Sequence, residues 1–267
     1  MKSIEQLMDL SGRKALLTGG GGYIGLAAAE SLIELGAKVA IVDKDVDTCE
    51  RRVAELNLYR ADSALSLPCD LLNELATRAM VQNAVKQMNG LDILIHCAAY
   101  VGTTEVPGWA VPFEQQTVAA WDAAMRVNLT AAFVLAQEAR GLLAASKRGS
   151  IIFFSSIYGV VGPDMSLYEG TEMITPTGYG ASKGALLQLT RYLASLFAPA
   201  VRVNAISPGG VWRGQPQNFR ERYEARTPLN RMAVEEDMKG AVAYLASDLS
   251  AYVTGHNLIV DGGWTAW

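Results

Sequence analysis

Apolar and polar positions alternate along this chain on two length scales. Short apolar runs follow turn signals, and longer amphipathic stretches follow the runs. Ala15–Leu17, Val39–Val42, Leu65–Leu67, Leu91–His96, Ser150–Phe154, Val201–Ile206 and Leu258–Val260 read as seven strands. Tyr23–Leu35, Val46–Leu58, Leu72–Met88, Val118–Ala145, Gly180–Phe197 and Val234–Leu245 read as helices. Gly36 closes the first helix and Pro199 stops the fifth. Strand–helix alternation of this kind implies an α/β fold with a parallel sheet covered by helices on both faces. Right-handed crossovers then favour the doubly wound arrangement of about seven strands. No repeat or low-complexity linker divides the 267 residues, which suit one domain, 1–267, with longer insertions near 157–178 and 211–227.

Composition narrows the picture. The net charge is −4 and no run of like charges appears, so a nucleic-acid partner is not expected. Cys49, Cys69 and Cys97 form no C-x-x-C pair, which fits a reducing, cytoplasmic setting. The N-terminus lacks the apolar core of a signal peptide. No uninterrupted apolar stretch reaches about 18 residues, so no membrane partner is expected. His96 and His256 are far apart in sequence, and no metal site is expected.

Ligands in doubly wound sheets bind beyond the carboxyl ends of the strands, so the residues after each strand matter most. After the first comes Thr18-Gly19-Gly20-Gly21-Gly22-Tyr23-Ile24-Gly25. A glycine turn between strand and helix lets backbone approach a pyrophosphate, and the helix start offers free N–H groups and partial positive charge. This makes Gly19, Gly22, Tyr23, Ile24 and Gly25 candidate cofactor residues in a Rossmann-type site. Asp43 ends the second strand, where a carboxylate accepts from both ribose hydroxyls and repels a 2′-phosphate. Lys44 beside it weakens that repulsion, but the glycine turn carries no Arg or Lys, and NAD is expected over NADP. Asp70 and Leu71 follow the third strand, where adenine would lie; Asp70 is equally placed to cap the next helix. Ala98 and Ala99 follow the fourth strand and are small enough to let a cofactor pass.

Tyr179 and Lys183 lie on one face of a helix. A nearby ammonium, with the positive ring of NAD, is expected to lower the phenol pKa and make Tyr179 a proton donor and acceptor. Together with the glycine turn, this pair resembles the short-chain dehydrogenase/reductase family over nearly the whole chain. The resemblance implies Tyr179 and Lys183 as catalytic residues. It implies Ser156 as the hydrogen-bond partner of the substrate oxygen. Asn128 would hold a water that relays the proton through Lys183. Pro208, Gly209 and Val211 resemble the turn along the nicotinamide, and Val260-Asp261-Gly262-Gly263 resembles the family's C-terminal signature. Such proteins are typically tetramers, so a homo-oligomer (tetramer or dimer) built on Val118–Ala145 and Gly180–Phe197 is expected, with Trp264 and Trp267 at its interface.

Three departures stand out. Gly19, Gly22 and Gly25 follow the long-form spacing, with Tyr23 where the short form has glycine. His96-Cys97-Ala98-Ala99 replaces Asn-Asn-Ala-Gly, and the stretch between Ser156 and Tyr179 is longer than usual. The sheet ends near the C-terminus, which leaves no room for the substrate domain of a long-form enzyme. The two insertions should face the substrate. Tyr158, Tyr168 and Glu169 in the first, and Arg213 and Gln215 in the second, are candidate substrate residues. Arg213, Arg220, Arg222 and Arg226 favour a polar, anionic, hydroxylated small molecule, unless they form a helix laced with Glu–Arg pairs. The insert also resembles members from bacterial surface-glycan and flagellin-sugar pathways, which implies a sugar, sugar acid or activated sugar. Two alternatives stay open: a 3-oxoacyl thioester reductase, and a non-catalytic NAD-binding sensor or scaffold.

Overall fold

A strand covered on both faces has no polar side to show, and the seven strands of this chain are apolar almost throughout. The computed structural model describes residues 1–267. The strands are β1 (Lys14–Thr18), β2 (Lys38–Val42), β3 (Ala64–Ser66), β4 (Ile93–His96), β5 (Gly149–Phe154), β6 (Val201–Pro208) and β7 (Asn257–Val260). They form one sheet in the order β3-β2-β1-β4-β5-β6-β7, every pair parallel. Every residue of β4 and β5 is buried, as a doubly covered parallel strand requires. The order reverses between β1 and β4, and at that switch point strand ends part to leave a crevice.

Nine α-helices accompany the sheet: α1 (Ile4–Met8), α2 (Tyr23–Glu34), α3 (Val46–Tyr59), α4 (Glu74–Met88), α5 (Val118–Met125), α6 (Ala131–Ala145), α7 (Thr177–Phe197), α8 (Gln217–Arg226) and α9 (Lys239–Ala246). One core cluster packs α4, α6 and α7 on one face. A second packs α2, α3 and α9 on the other. α5 and α6 form one rod, as their shared apolar pattern predicts, but a π-helical turn, Arg126–Thr130, joins them. This rod is apolar enough by length and composition to cross a membrane; its inner residues Ala132, Leu135, Ala139 and Leu143 instead belong to the core.

The differences from the sequence pattern have local causes. α4 starts at Glu74, capped by Asn73, whose Oδ1 accepts from the Ala76 amide; Asp70 does not cap it. α7 starts at Thr177, so Tyr179 lies inside the first turn. The expected helix Val234–Leu245 divides into a 3-10 turn, Glu235–Met238, and α9. α8 is missing from the pattern because only Phe219 and Tyr223 of its ten residues are buried. Trp264 is buried in this chain, stacked 6.0 Å from Tyr223, so it is not available to an intersubunit surface; Trp267 is exposed.

Candidate active site

The turn from β1 into α2 shows what the glycines are for. Gly19 has φ +73, and a Cβ there would lie 2.5 Å from the Ala98 amide nitrogen. A Cβ on Gly25 would lie 2.1 Å from the Gly19 carbonyl oxygen. These two positions exclude any side chain, and Ala98 marks the contact between the turn and the end of β4. Gly22 differs: its φ is −76 and the nearest atom to an added Cβ is 3.4 Å away. The protein itself does not need glycine there, whereas an approaching ligand would. Gly22 caps α2 without a side-chain hydrogen bond, and the first amide to reach back along the helix is that of Leu26. The N–H groups of Tyr23, Ile24 and Gly25 are left for an external acceptor. Tyr23 does not obstruct the turn, because its ring is exposed and points out. These residues fit a dinucleotide pyrophosphate.

Asp43 sits at the edge of the same turn. Its Oδ2 accepts from the Gly21 amide at 3.1 Å, and its Oδ1 accepts from the Lys44 amide at 2.8 Å. The carboxylate is held at the rim with acceptor capacity remaining for two hydroxyls. Asp70 accepts from the Leu72 amide at 3.0 Å and is exposed, while Leu71 is buried. Beyond β6, the Gly209 amide donates to the Val260 carbonyl and Val211 pairs with Ala233, which fixes the Pro208–Val211 turn against the sheet edge. Asp261 closes the turn after β7 by accepting from Gly263 and Thr265.

Tyr179, Ser156 and Lys183 meet beyond the ends of β4 and β5. Ser156 follows β5 and caps a short 3-10 turn, Ile157–Gly159; its Oγ accepts from the Tyr158 amide at 3.1 Å. That bond occupies a lone pair and leaves the hydroxyl hydrogen free to donate. Lys183 is buried, and its Nζ donates to the Phe154 carbonyl at 2.7 Å, 5.7 Å from the Tyr179 ring centroid. Burial lowers the Lys183 ammonium to about 8. Burial also raises the Tyr179 phenol above its ordinary value, and the neighbouring Ser156 hydroxyl opposes this. The expected lowering of Tyr179 by Lys183 is therefore corrected in the protein alone: desolvation dominates.

Asn128 lies in the π-helical turn, fully buried. Its Oδ1 accepts from the Tyr100 amide at 2.7 Å, and its Nδ2 donates to the Tyr100 carbonyl at 3.3 Å and to Ser182 Oγ at 2.9 Å. Ser182 Oγ in turn donates to the Tyr179 carbonyl at 2.8 Å. Both side-chain donors are occupied by protein, so the expected water relay cannot use them. His96, directly opposite Thr18 in the sheet, pairs its Nδ1 with Thr18 Oγ1 at 2.8 Å. Its Nε2 is buried beside the carbonyls of Asn128 and Val127 without a well-formed hydrogen bond.

The candidate substrate residues fare unequally. Arg222 donates to the carbonyls of Ser166 and Glu169, and Arg226 pairs with Asp164 at 2.5 Å. Arg220 pairs with Glu224 and covers Trp212. Arg222 and Arg226 thus fasten α8 to the 157–178 insert while Arg220 is paired within the helix, so none of the three is poised for an anion. Arg213 lies 4.4 Å over the Tyr23 ring and pairs with Glu235. Gln215 uses both amide ends on Arg213 and Val211 backbone. Glu169 is exposed. Tyr158 and Tyr168 remain together, their hydroxyls 2.7 Å apart. One wall was missed in the sequence: the loop before α5, where Tyr100 and buried Trp109 pack with Tyr179. Its only signal was an irregular stretch too long for a simple connection.

A glycine turn at a switch point, with Ser, Tyr and Lys beyond adjacent strand ends, defines an oxidoreductase that uses a nicotinamide dinucleotide. Residues 22–265 match the family model described as enoyl-(acyl carrier protein) reductase. A 2-(S)-hydroxypropyl-CoM dehydrogenase from Xanthobacter autotrophicus is 34% identical over 94% of this chain and 95% of its own length. A rhamnolipids biosynthesis 3-oxoacyl-[acyl-carrier-protein] reductase from Pseudomonas aeruginosa is 32% identical over 96% of this chain and 97% of its own length. Among solved structures, a short-chain type dehydrogenase/reductase from Mycobacterium marinum superposes with TM-score 0.85 at 28% identity, covering 100% of both chains. An NADPH-dependent 3-quinuclidinone reductase from Rhodotorula rubra superposes with TM-score 0.87 at 29% identity, covering 100% of this chain and 96% of that one. The chain belongs to the short-chain dehydrogenase/reductase family and is a dehydrogenase/reductase acting on CH–OH groups.

His96 generates a stability prediction. Burial lowers its pKa to about 3, below the unfolded value near 6.5. Between these values the unfolded chain binds a proton that the folded chain does not, so stability falls as pH drops from about 6.5 towards 3. From pH 7 to pH 5 the His96 contribution should be on the order of 2 kcal/mol. Urea midpoints at both pH values, for wild type and His96→Asn, measure it; an equal pH response in both proteins would refute it.

Proposed function

We propose that this protein, as one catalytic domain spanning 1–267, interconverts a secondary alcohol and a ketone on a polar, hydroxylated small molecule, with NAD as the preferred cofactor. The observation that carries the reading is the convergence of the Ser156 hydroxyl, the Tyr179 phenol and the Lys183 ammonium beside a glycine turn with free helix amides. The cofactor would lie against Gly19, Gly22, Tyr23, Ile24 and Gly25, with Asp43 at its ribose, Asp70 and Leu71 at its adenine, and Ala98, Ala99, Pro208, Gly209 and Val211 along its length. When bound, the nicotinamide accepts or gives the hydride. Ser156 orients the substrate oxygen through its O–H. Tyr179 takes the hydroxyl proton in oxidation and returns it in reduction. Lys183, with its ammonium lowered to about 8, stabilises the developing phenolate and shares the proton with solvent near neutral pH. Asn128 holds Tyr100 and, through Ser182, the first turn of α7.

A sugar or sugar derivative fits this site, but the arginines no longer argue for an anion: Arg222 and Arg226 are engaged by the insert, Arg220 by Glu224 and Arg213 by Glu235. A second reading, reduction of a 3-oxoacyl thioester, is favoured by the Pseudomonas relative and the family-model description. Activity with NADPH and an acyl thioester, at the expense of NADH and simple hydroxyketones, would support it. Three free cysteines, two of them buried, accord with a reducing, cytoplasmic setting. Exposed Phe133 and Tyr192 on α6 and α7 accord with a homo-oligomer through these helices.

Tyr179→Phe should reduce turnover by about a thousandfold or more while NAD still binds, measured by steady-state assay and nucleotide fluorescence titration; turnover near wild type would refute the acid/base role. Asp43→Ala should shift the kcat/KM ratio of NAD to NADP towards NADP by about tenfold or more. An unchanged ratio would remove Asp43 from cofactor selection. Light scattering should give a mass above one chain; a monomer at micromolar concentration would overturn the oligomer.

A further inference from the structure

Beside Ser156 and Tyr179 the structure builds a second polar feature. Tyr158 stands two residues after Ser156, and Tyr168 ends the 3-10 turn Met165–Tyr168 of the insert. Their hydroxyls share a hydrogen bond of 2.7 Å. Both rings pack on a small apolar cluster that includes Leu167, Phe219 and Trp264, with Phe219 5.4 Å from Tyr168. Burial raises both phenols above their ordinary value, so both remain neutral hydroxyls at physiological pH. They also lie within electrostatic reach of the acid/base: Tyr179 acts on Tyr158, and Tyr168 acts on Tyr179.

The hydrogen bonds of the pair are incompletely used. Each phenol offers one donor and acceptor lone pairs. The shared bond takes one donor and one acceptor, one from each phenol. The pair leaves capacity at Tyr158, as donor or as acceptor according to which phenol donates the shared bond. A hydroxyl satisfies either arrangement, whereas a carboxylate only accepts and an ammonium only donates. The arginines of the neighbouring α8 are held by Glu224, by insert carbonyls and by Asp164. An anion would therefore enter beside buried neutral phenols without a paired cation, at a desolvation cost.

We propose that the Tyr158–Tyr168 pair is a specificity element that recognises an uncharged hydroxyl on the carbon next to the reacting one, making the substrate class an α-hydroxy ketone and its vicinal diol. The inference rests on the reading of Tyr179 as the acid/base of an alcohol–ketone interconversion. In oxidation the carbinol C–H bond breaks, its hydride passes to the oxidised nicotinamide, and the hydroxyl proton passes to Tyr179. The neighbouring hydroxyl stays intact and bound to Tyr158.

The test compares kcat/KM for matched ketones with and without an α-hydroxyl, from acetoin against butanone to cyclic hydroxyketones against their deoxy forms. Wild type should favour the hydroxylated member by about tenfold or more, the worth of one buried hydrogen bond. In Tyr158→Phe and Tyr168→Phe the preference should collapse towards parity, mainly through KM, with melting temperatures confirming the fold. A purely structural role would depress both members of each pair alike. Equal kcat/KM in wild type, or an unchanged preference in both variants, overturns the proposal and leaves the oxidoreductase reading standing. Turnover of no pair with either NAD(H) or NADP(H) overturns that reading and this inference with it.

Discussion

The Asn128 side chain ties together three stretches of backbone: its own π-helical turn, the loop after β4 and the start of α7. It accepts from and donates to Tyr100 after β4, and it donates to Ser182 in α7. Ser182 passes the restraint to the Tyr179 carbonyl. An amide this deeply buried must have its hydrogen bonds made, since each one lost would cost about 1–3 kcal/mol. The π-helical turn that presents Asn128 interrupts an otherwise regular rod, and such turns are retained where a side chain must be aimed. The clamp holds the first turns of α7, which carry Tyr179, against the loop after β4.

The opposite side of the site is set by ion pairs and aromatic rings. α8 has too little apolar surface to dock by burial alone, with Phe219 and Tyr223 as its only buried residues. Arg222 and Arg226 supply the remaining attachment by capturing insert carbonyls and Asp164. The two segments thus form one structural unit beside the candidate site, held by groups that from sequence looked like ligand-binding charges. Arg213 connects this unit to the glycine turn by lying over Tyr23. The unusual tyrosine of that turn has a partner rather than a steric conflict.

Much of the fold was legible in the residues themselves. The seven apolar runs became the seven strands, because a strand buried on both faces can hardly be anything but apolar. The glycine turn, Asp43 and the Tyr179–Lys183 spacing were legible for a related reason: each is a local constraint, set within one turn or one strand end, and Gly19 and Gly25 admit no side chain. α8 escaped notice because its attachment is electrostatic and leaves no periodic pattern. The wall formed by Tyr100 and Trp109 escaped because it belongs to an irregular loop placed by distant contacts.

By itself, then, the sequence determined the sheet, the glycine turn and the candidate reacting side chains, since these follow from short-range sterics and hydrophobic periodicity. Only the tertiary structure decided which polar groups remain available. It assigned Arg222 and Arg226 to the insert, Gln215 to its own loop, and both donors of Asn128 to Tyr100 and Ser182. It left Tyr158 and Tyr168 paired at the site. Whether a polar group is free depends on partners remote in the chain, and no local pattern carries that information.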